Sequence, residues 1–311
     1  MTGPDDSHAL RGVRAGELAP LPTRAHRQHR AYSCTNCGHW QRWFAHTPPP
    51  SCPVCSDVRN ELPVDGFAFL RETEVDALVT TSWREAVPGV TEFWCDPVVG
   101  LGSHGWVLET ADGLLGFEAA PWYSADALAE LRRRGGLRVL ASSHVHGFGG
   151  LWQLQDELDP PVVSVGVHDL TWTKAFRVTW PADDRTELAP GITLHRTGGH
   201  FPGHSVLHDA DRGLFFCGDS LKIDLDADGN ATALSAHKAF HAQIPLSRAE
   251  LRSMREIVGA LEFDTVFSPF EFARGVTTRH VVALVDHMLA NPPSAAPVPM
   301  DVLAAKVGVF A

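Results

Sequence analysis

The stretch Ser143-His144-Val145-His146-Gly147-Phe148-Gly149 follows the apolar run Leu137-Arg138-Val139-Leu140-Ala141. Such a run reads as a short buried strand. Two histidines one residue apart at a strand end point to the same side, as two imidazoles holding one metal ion must. An isolated His-x-His is also compatible with two polar residues capping a strand. What favours chemistry here is the company downstream, where further candidate ligands recur in turns between strands.

The whole chain sets bounds on the reading. It has 311 residues and a formal charge of -11, which fits one globular domain plus a small accessory unit. The acidic balance argues against a nucleic-acid partner, because a phosphate-binding surface needs clustered Lys and Arg. The one basic run, Arg132-Arg133-Arg134, reads as favourable charge at a helix C-terminus. No stretch approaches the roughly 20 apolar residues that span a bilayer, so no membrane partner is expected. Met1 to Arg30 is polar and rich in Pro, Gly, Arg and His, without a signal-peptide core. Four of the six cysteines fall in two CxxC pairs. Without an export signal this favours metal binding over disulfides and a cytoplasmic location.

Read in order, residues 1–30 lack apolar periodicity and are expected to be a disordered leader. Residues 31–60 carry Cys34-Thr35-Asn36-Cys37-Gly38 and Ser51-Cys52-Pro53-Val54-Cys55. Each CxxC turn presents two thiolates to one ion, and two such turns complete a tetrahedral site. The fourteen residues between Cys37 and Cys52 leave room for a hairpin turning at Pro48-Pro49-Pro50. The CxxCG and CPxC pair resembles rubredoxin and zinc-ribbon knuckles. That resemblance implies zinc on Cys34, Cys37, Cys52 and Cys55, in a structural role or a role in docking a protein partner; iron there would be a one-electron redox centre.

Residues 61–290 are assigned to the main domain, with 56–90 read as a connector and regular structure beginning near Val90. Hairpin turns fall at Ala111-Asp112-Gly113, at residues 209–213 and at residues 226–230. Ser124 opens a helix that stops at Gly135, and Ser247 with Glu250 spells a capping box. Strands and helices alternate after an initial run of strands, which suggests sheets sandwiched between helices. Pro292 and Pro293 begin a loose tail over 291–311.

The order of hairpin, helix, strand, His-x-His loop, Gly199-His200-Phe201-Pro202-Gly203-His204 and Cys217-Gly218-Asp219-Ser220-Leu221 resembles the metallo-β-lactamase superfamily over roughly residues 90–290. The resemblance implies an α/β fold, an αβ/βα sandwich with a metal site at one edge. By position, His144, His146 and His200 match ligand histidines, His204 a usually structural histidine, and Asp219 the acidic ligand. Phe148 and Gly149 stand where the family has a ligand Asp and His. No His lies near residues 267–272, where a late ligand belongs. The second metal has thus lost its own ligands while the first keeps all of its own, which implies a mononuclear zinc or iron site.

Three imidazoles on zinc leave an open position whose water falls to a pKa of about 7. Asp219 then orients that water or takes its proton. The expected reaction is hydrolysis of a small-molecule ester, thioester, amide or lactone. A second reading puts Fe(II) on His144, His200 and Asp219 as a two-histidine-one-carboxylate face, similar to the persulfide dioxygenases of the same superfamily. A third is a binding protein without catalysis that docks through the ribbon.

Phe148, His204, His237, His241 and Glu271 are candidate pocket residues, with Glu271, His237 or His241 able to replace a lost ligand. Gly218-Asp219-Ser220-Leu221 spells the signature of a serine esterase family, but no later DxxH follows it. Asp224 to Gly229 looks like the start of a calcium loop, yet Ser235 holds the position that needs a bidentate carboxylate.

Overall fold

The computed structural model describes residues 29–45, 47–57, 62–236 and 245–306. The leader expected over 1–30 lies outside the described residues except for its last two. Those begin β1 (His29–Cys34), which pairs antiparallel with β2 (Trp40–Phe44). A third strand, β3 (Phe69–Arg71), adds to the other edge of β1. The ribbon sheet is therefore closed by a segment that the sequence reading had placed in a connector. The connector also holds α1 (Glu72–Leu78) and β4 (Thr80–Val87). β4 is an edge strand with mostly polar, exposed side chains, so its period-2 signal is weak.

The first main sheet runs β4, β5 (Val90–Asp96), β6 (Gly105–Thr110), β7 (Gly113–Phe117), β8 (Leu137–Ala141) and β9 (Val162–Ser164) in sequence order. The meander is antiparallel up to β7, and β7, β8 and β9 are parallel. Parallel neighbours need crossover connections. These are α2 (Ala125–Arg133) and α3 (Leu151–Leu158). The second main sheet is ordered β10 (Arg185–Ala189), β11 (Ile192–Arg196), β12 (Ser205–Asp209), β13 (Leu214–Phe216), β16 (Thr265–Phe267) and β17 (Phe272–Arg274). The hairpin β14 (Leu221–Leu225) and β15 (Ala231–Ala236) forms a smaller sheet with β18 (Val298–Pro299).

Side-chain alternation along the strands separates the layers. Trp106, Leu108, Leu115 and Phe117 face inward and meet Leu207, Leu214, Phe216 and Phe267 of the opposing sheet. Their alternate neighbours Val107 and Leu114 face outward and pack with Leu128, Leu131, Leu151 and Leu154 of the helices. On the far side, Val206, Phe215 and Val266 pack with α4 (Arg248–Gly259) and α5 (Thr278–Ala290) through residues such as Met254 and Leu284. The result is the expected helix–sheet–sheet–helix sandwich. Ser247 caps α4 as its sequence announces, accepting from the Glu250 amide at 3.2 Å while Glu250 accepts from the Ser247 amide at 2.7 Å. Ser124 makes no such side-chain bond.

The expected loose tail carries structure instead. β18 pairs with β15, and α6 (Met300–Lys306) buries Leu303 completely. The signal is short because one leucine anchors the turn. No described helix is long and apolar enough to cross a membrane.

Candidate metal centre

The ends of β8 and β13 and the connection between β11 and β12 meet at one edge of the sandwich. After Ala141 the chain stays extended through His144 and then tightens into a 3-10 turn over Val145–Phe148 that carries His146. Gly149 sits at φ 32, and a Cβ there would overlap the Ala119 carbonyl. After β13 a second 3-10 turn, Gly218–Ser220, carries Asp219. Gly218 has φ 53, and a Cβ would lie 2.7 Å from both His204 Nε2 and Ser143 Oγ. Only glycine suits that approach. His200 rides on the loop between β11 and β12. The amide of Gly203 fixes this loop by donating to Asp169 Oδ1 at 2.7 Å, and the Ser205 amide ties it to the carbonyl of Ser143 at 2.9 Å.

These turns bring His144, His146, His200 and Asp219 together, with their ligand atoms within 4.8 Å of one another and all four residues buried. Asp219 Oδ2 lies 2.8 Å from His146 Nδ1, 3.1 Å from His144 Nε2 and 3.6 Å from His200 Nε2. His200 Nε2 is 3.2 Å from His146 Nδ1. Ligands about 2.0–2.1 Å from a tetrahedral ion are separated by roughly 3.3 Å, so the spacing suits one ion. The other carboxylate oxygen, Asp219 Oδ1, is buried without a hydrogen-bond partner among the described residues. Such an orphan calls for a water, an ion or a ligand.

The electrostatics agree with ligand roles. Burial pushes the His144 imidazole down to about 3 despite the opposing pull of Asp219, leaving it neutral as a ligand nitrogen must be. Burial alone would raise the Asp219 carboxyl, but the neighbouring imidazoles, His144 foremost, hold it well below the usual carboxylate range. His204 lies behind this group, its ring centroid 4.9 Å from that of His144, and its Nδ1 lies 2.8 Å from Thr197 Oγ1. It is not one of the four clustered ligands.

Behind the histidine loop stands Glu118, which the sequence reading did not single out. It is buried, directly follows β7 and adopts φ 57, a left-handed conformation that costs a non-glycine residue of order 1–3 kcal/mol. Its carboxylate accepts from Ser142 Oγ at 2.6 Å and from Ser143 Oγ, and Ser143 Oγ lies 2.7 Å from His144 Nδ1. A Cβ at Gly147 would overlap this carboxylate. Glu118 therefore orients His144 through a hydroxyl, as partners of ligand imidazoles commonly do. An acidic residue closing an apolar strand just ahead of the ligand loop was the available signal.

Burial pushes Glu118 from its ordinary 4.5 up to about 7, against the serine hydrogen bonds. With the folded value above the unfolded one, the stabilising contribution of Glu118 is complete below pH 4.5 and is lost as pH rises through 7. The span corresponds to about 3 kcal/mol. Glu118→Gln should gain stability relative to the parent across that window in denaturant titrations. An offset between the two that is constant from pH 4.5 to 7 would contradict this assignment.

The second cluster lies in the ribbon. Cys34, Cys37, Cys52 and Cys55 are buried with their sulfurs within 4.8 Å of one another. Cys34 Sγ is 3.8 Å from Cys55 Sγ, and Cys37 Sγ is 3.6 Å from Cys52 Sγ. Four sulfurs at about 2.3 Å from a tetrahedral ion are spaced by roughly 3.8 Å, so the set fits one ion. Hydrogen bonds from the other three thiols hold the Cys34 thiol far below the ordinary range. Both clusters are thus able to bind metal.

The remaining candidates sit elsewhere. Phe148 is buried in the core, edge-on to Phe176 at 5.2 Å. Glu271, just ahead of β17, accepts from the Ile223 amide of β14 at 2.9 Å and is not part of the cluster. It lines a cavity of 510 Å³ with His104 and Glu92. His237 and His241 lie outside the described residues. The suspected calcium loop is a turn in which Asp226 Oδ1 accepts from the amides of Asp228 and Asn230 at 2.9 and 2.8 Å.

Comparison with known proteins adds independent support. Residues 127–261 match the family model described as the metallo-beta-lactamase superfamily. An uncharacterised protein, YmaE of Bacillus subtilis (strain 168), is 20% identical over 247 residues, spanning 77% of this chain and 88% of that protein. Among solved structures, TMB-1 is similar with a TM-score of 0.50 at 14% identity, covering 68% of this chain and 99% of that one. The DIM-1 metallo-β-lactamase follows with 0.49 at 15%, covering 68% of this chain and 96% of that one. The family match over residues 127–261, the sandwich and the histidine–aspartate edge agree: this part of the chain is similar to the metallo-β-lactamase superfamily, and a four-cysteine cluster precedes it.

Proposed function

We propose that the protein is a metal-dependent hydrolase of a small ester, thioester, amide or lactone, working with one ion held by His144, His146, His200 and Asp219. The observation that carries this reading is the convergence of three imidazoles and one carboxylate oxygen on a single point, with Phe148 and Gly149 where a second ion needs an Asp and a His. When bound, the ion would acidify water and polarise the substrate carbonyl only by taking a further ligand beyond the four protein groups. Asp219 divides its two oxygens between two tasks. Oδ2 faces the three imidazoles, while the unpartnered Oδ1 is placed to accept a proton from an attacking water. The Glu118–Ser143 pair holds His144 in its tautomer. The buried walls exclude bulk water and strengthen each of these interactions.

The test is a zinc-loaded preparation assayed on p-nitrophenyl acetate and on an S-acetyl thioester, with and without a chelator. Hydrolysis lost on chelation and restored by zinc supports the reading. A second reading, an iron-dependent thiol or persulfide oxygenase, draws on the packing of the four cysteines in one core with Val145, Phe148 and Phe201, chain neighbours of the clustered histidines. Iron in both sites with oxygen uptake on a persulfide substrate, and no hydrolysis, would replace the first reading with the second.

A further inference from the structure

The three imidazoles of the candidate metal centre form a nearly equilateral triangle. Their ring centroids are 5.0 Å apart for His144 and His146, 4.9 Å for His144 and His200, and 5.1 Å for His146 and His200. Asp219 Oδ2 sits over one face of this triangle, 2.8, 3.1 and 3.6 Å from the histidine nitrogens. Phe201, the residue after His200, also reaches all three rings. Its centroid lies 5.7 Å from that of His144, 5.2 Å from that of His146 and 4.9 Å from that of His200. Two groups that are each close to all three corners lie near one axis. A ring at these distances on the Asp219 side would overlap the carboxylate, so the phenyl ring closes the opposite face.

The ring is built into that position. Phe201 is fully buried, and its carbonyl accepts from the His204 amide at 3.0 Å. Trp172 packs edge-on against it at 5.2 Å. Trp172 ends the 3-10 turn Val167–Trp172, the same turn whose Asp169 holds the Gly203 amide. One short element thus fixes both the loop that carries Phe201 and the far side of its ring. An ordered water needs about two to four polar partners. Between the imidazoles and this ring it would find the ion alone, because the ring offers only carbon. A further ligand therefore has to approach on the Asp219 side, where Oδ1 has no hydrogen-bond partner among the described residues.

We propose that Phe201 selects the metal, because closing the face opposite Asp219 suits a four- or five-coordinate zinc ion and disfavours six-coordinate Fe(II). This deepens the hydrolytic reading and rests on its single ion. Zinc is satisfied by four ligands and expands to five during reaction. Non-haem Fe(II) sites instead pair two histidines and one carboxylate with several open positions. Here a third imidazole takes one of those positions and the phenyl ring closes another.

The test uses the full-length chain, stripped of metal and then offered Zn(II) and Fe(II) together without oxygen. Elemental analysis, with His200→Ala as the reference for ions held by the ribbon, gives the zinc-to-iron ratio at the histidine–aspartate site. Zinc outcompetes Fe(II) at most sites of this kind, so the informative quantity is the change in that ratio on substitution. Phe201→Ala should lower it about 10-fold or more, the scale on which groups around metal ligands act. Phe201→Leu, which leaves a smaller gap, should lower it less. A ring that only packs would weaken both metals alike and leave the ratio where it was. An unchanged ratio in Phe201→Ala would overturn the proposal, as would a parent that takes iron ahead of zinc. Should Phe201→Ala fail to fold, the ratio in Phe201→Leu decides in the same way. The zinc-loaded parent is also assayed on p-nitrophenyl acetate. No hydrolysis there would sink the hydrolytic reading, while a lowered ratio would still assign metal selection to Phe201.

Discussion

Replacing Cys52 and Cys55 together by serine should unfold the ribbon and destabilise the whole chain. The four sulfurs are buried and spaced for one ion. Structural zinc in small cysteine sites contributes about 10–16 kcal/mol to folding at neutral pH, comparable to the entire 5–15 kcal/mol of an ordinary domain. The ribbon sheet has only three short strands, so within the ribbon the ion is the main support, while Trp40 fastens it to the main domain. Its release would strip cover from Trp40, Trp122 and Trp152, which form one aromatic layer with the main domain. The expected readouts are a loss of one metal per chain, a red-shifted tryptophan emission and a melting temperature lowered by many degrees. A double variant with unchanged emission and melting would show that the cluster holds no structural ion.

Asp219→Ala carries the second large effect, and it acts at the other site. The carboxylate is 1% exposed and faces three histidine nitrogens at 2.8, 3.1 and 3.6 Å. Residues that merely orient metal ligands contribute about 10–100-fold to metal affinity or activity, so removal of a ligand should exceed that range. Hydrolysis should fall further, by more than about 10³, because the proton acceptor leaves with the ligand. Asp219→Asn should behave between the two, since it keeps an oxygen but not the charge. Metal affinity is checked by competition with a chromophoric chelator. An Asp219→Ala protein that binds zinc as tightly as the parent would remove Asp219 from the ligand set.

The features visible in the sequence were those that repeat a physical pattern. The strand ahead of His144 is an apolar run, and the two CxxC turns have the spacing that tetrahedral thiolate sites demand, so both clusters could be named from residue order. Ser247 with Glu250 encoded a helix start that the structure contains. What was hidden depends on contacts distant in sequence. β4 is polar because it is an edge, and α6 is held by Leu303, so neither advertises itself by periodicity. Glu118 matters through burial and through a neighbour 24 residues away. Glu271 shows the opposite error. Its position suggested a replacement ligand, but the Ile223 amide takes its carboxylate.

The two clusters are spaced for one ion at the histidine–aspartate edge beside one in the ribbon. Elemental analysis of the intact, zinc-loaded chain, alongside His200→Ala, measures it directly. Two metal ions per chain are expected in the parent and one in the variant, the remaining ion being lost only when the cysteines are also replaced. Three ions per chain in the parent, or two retained in His200→Ala, would contradict it.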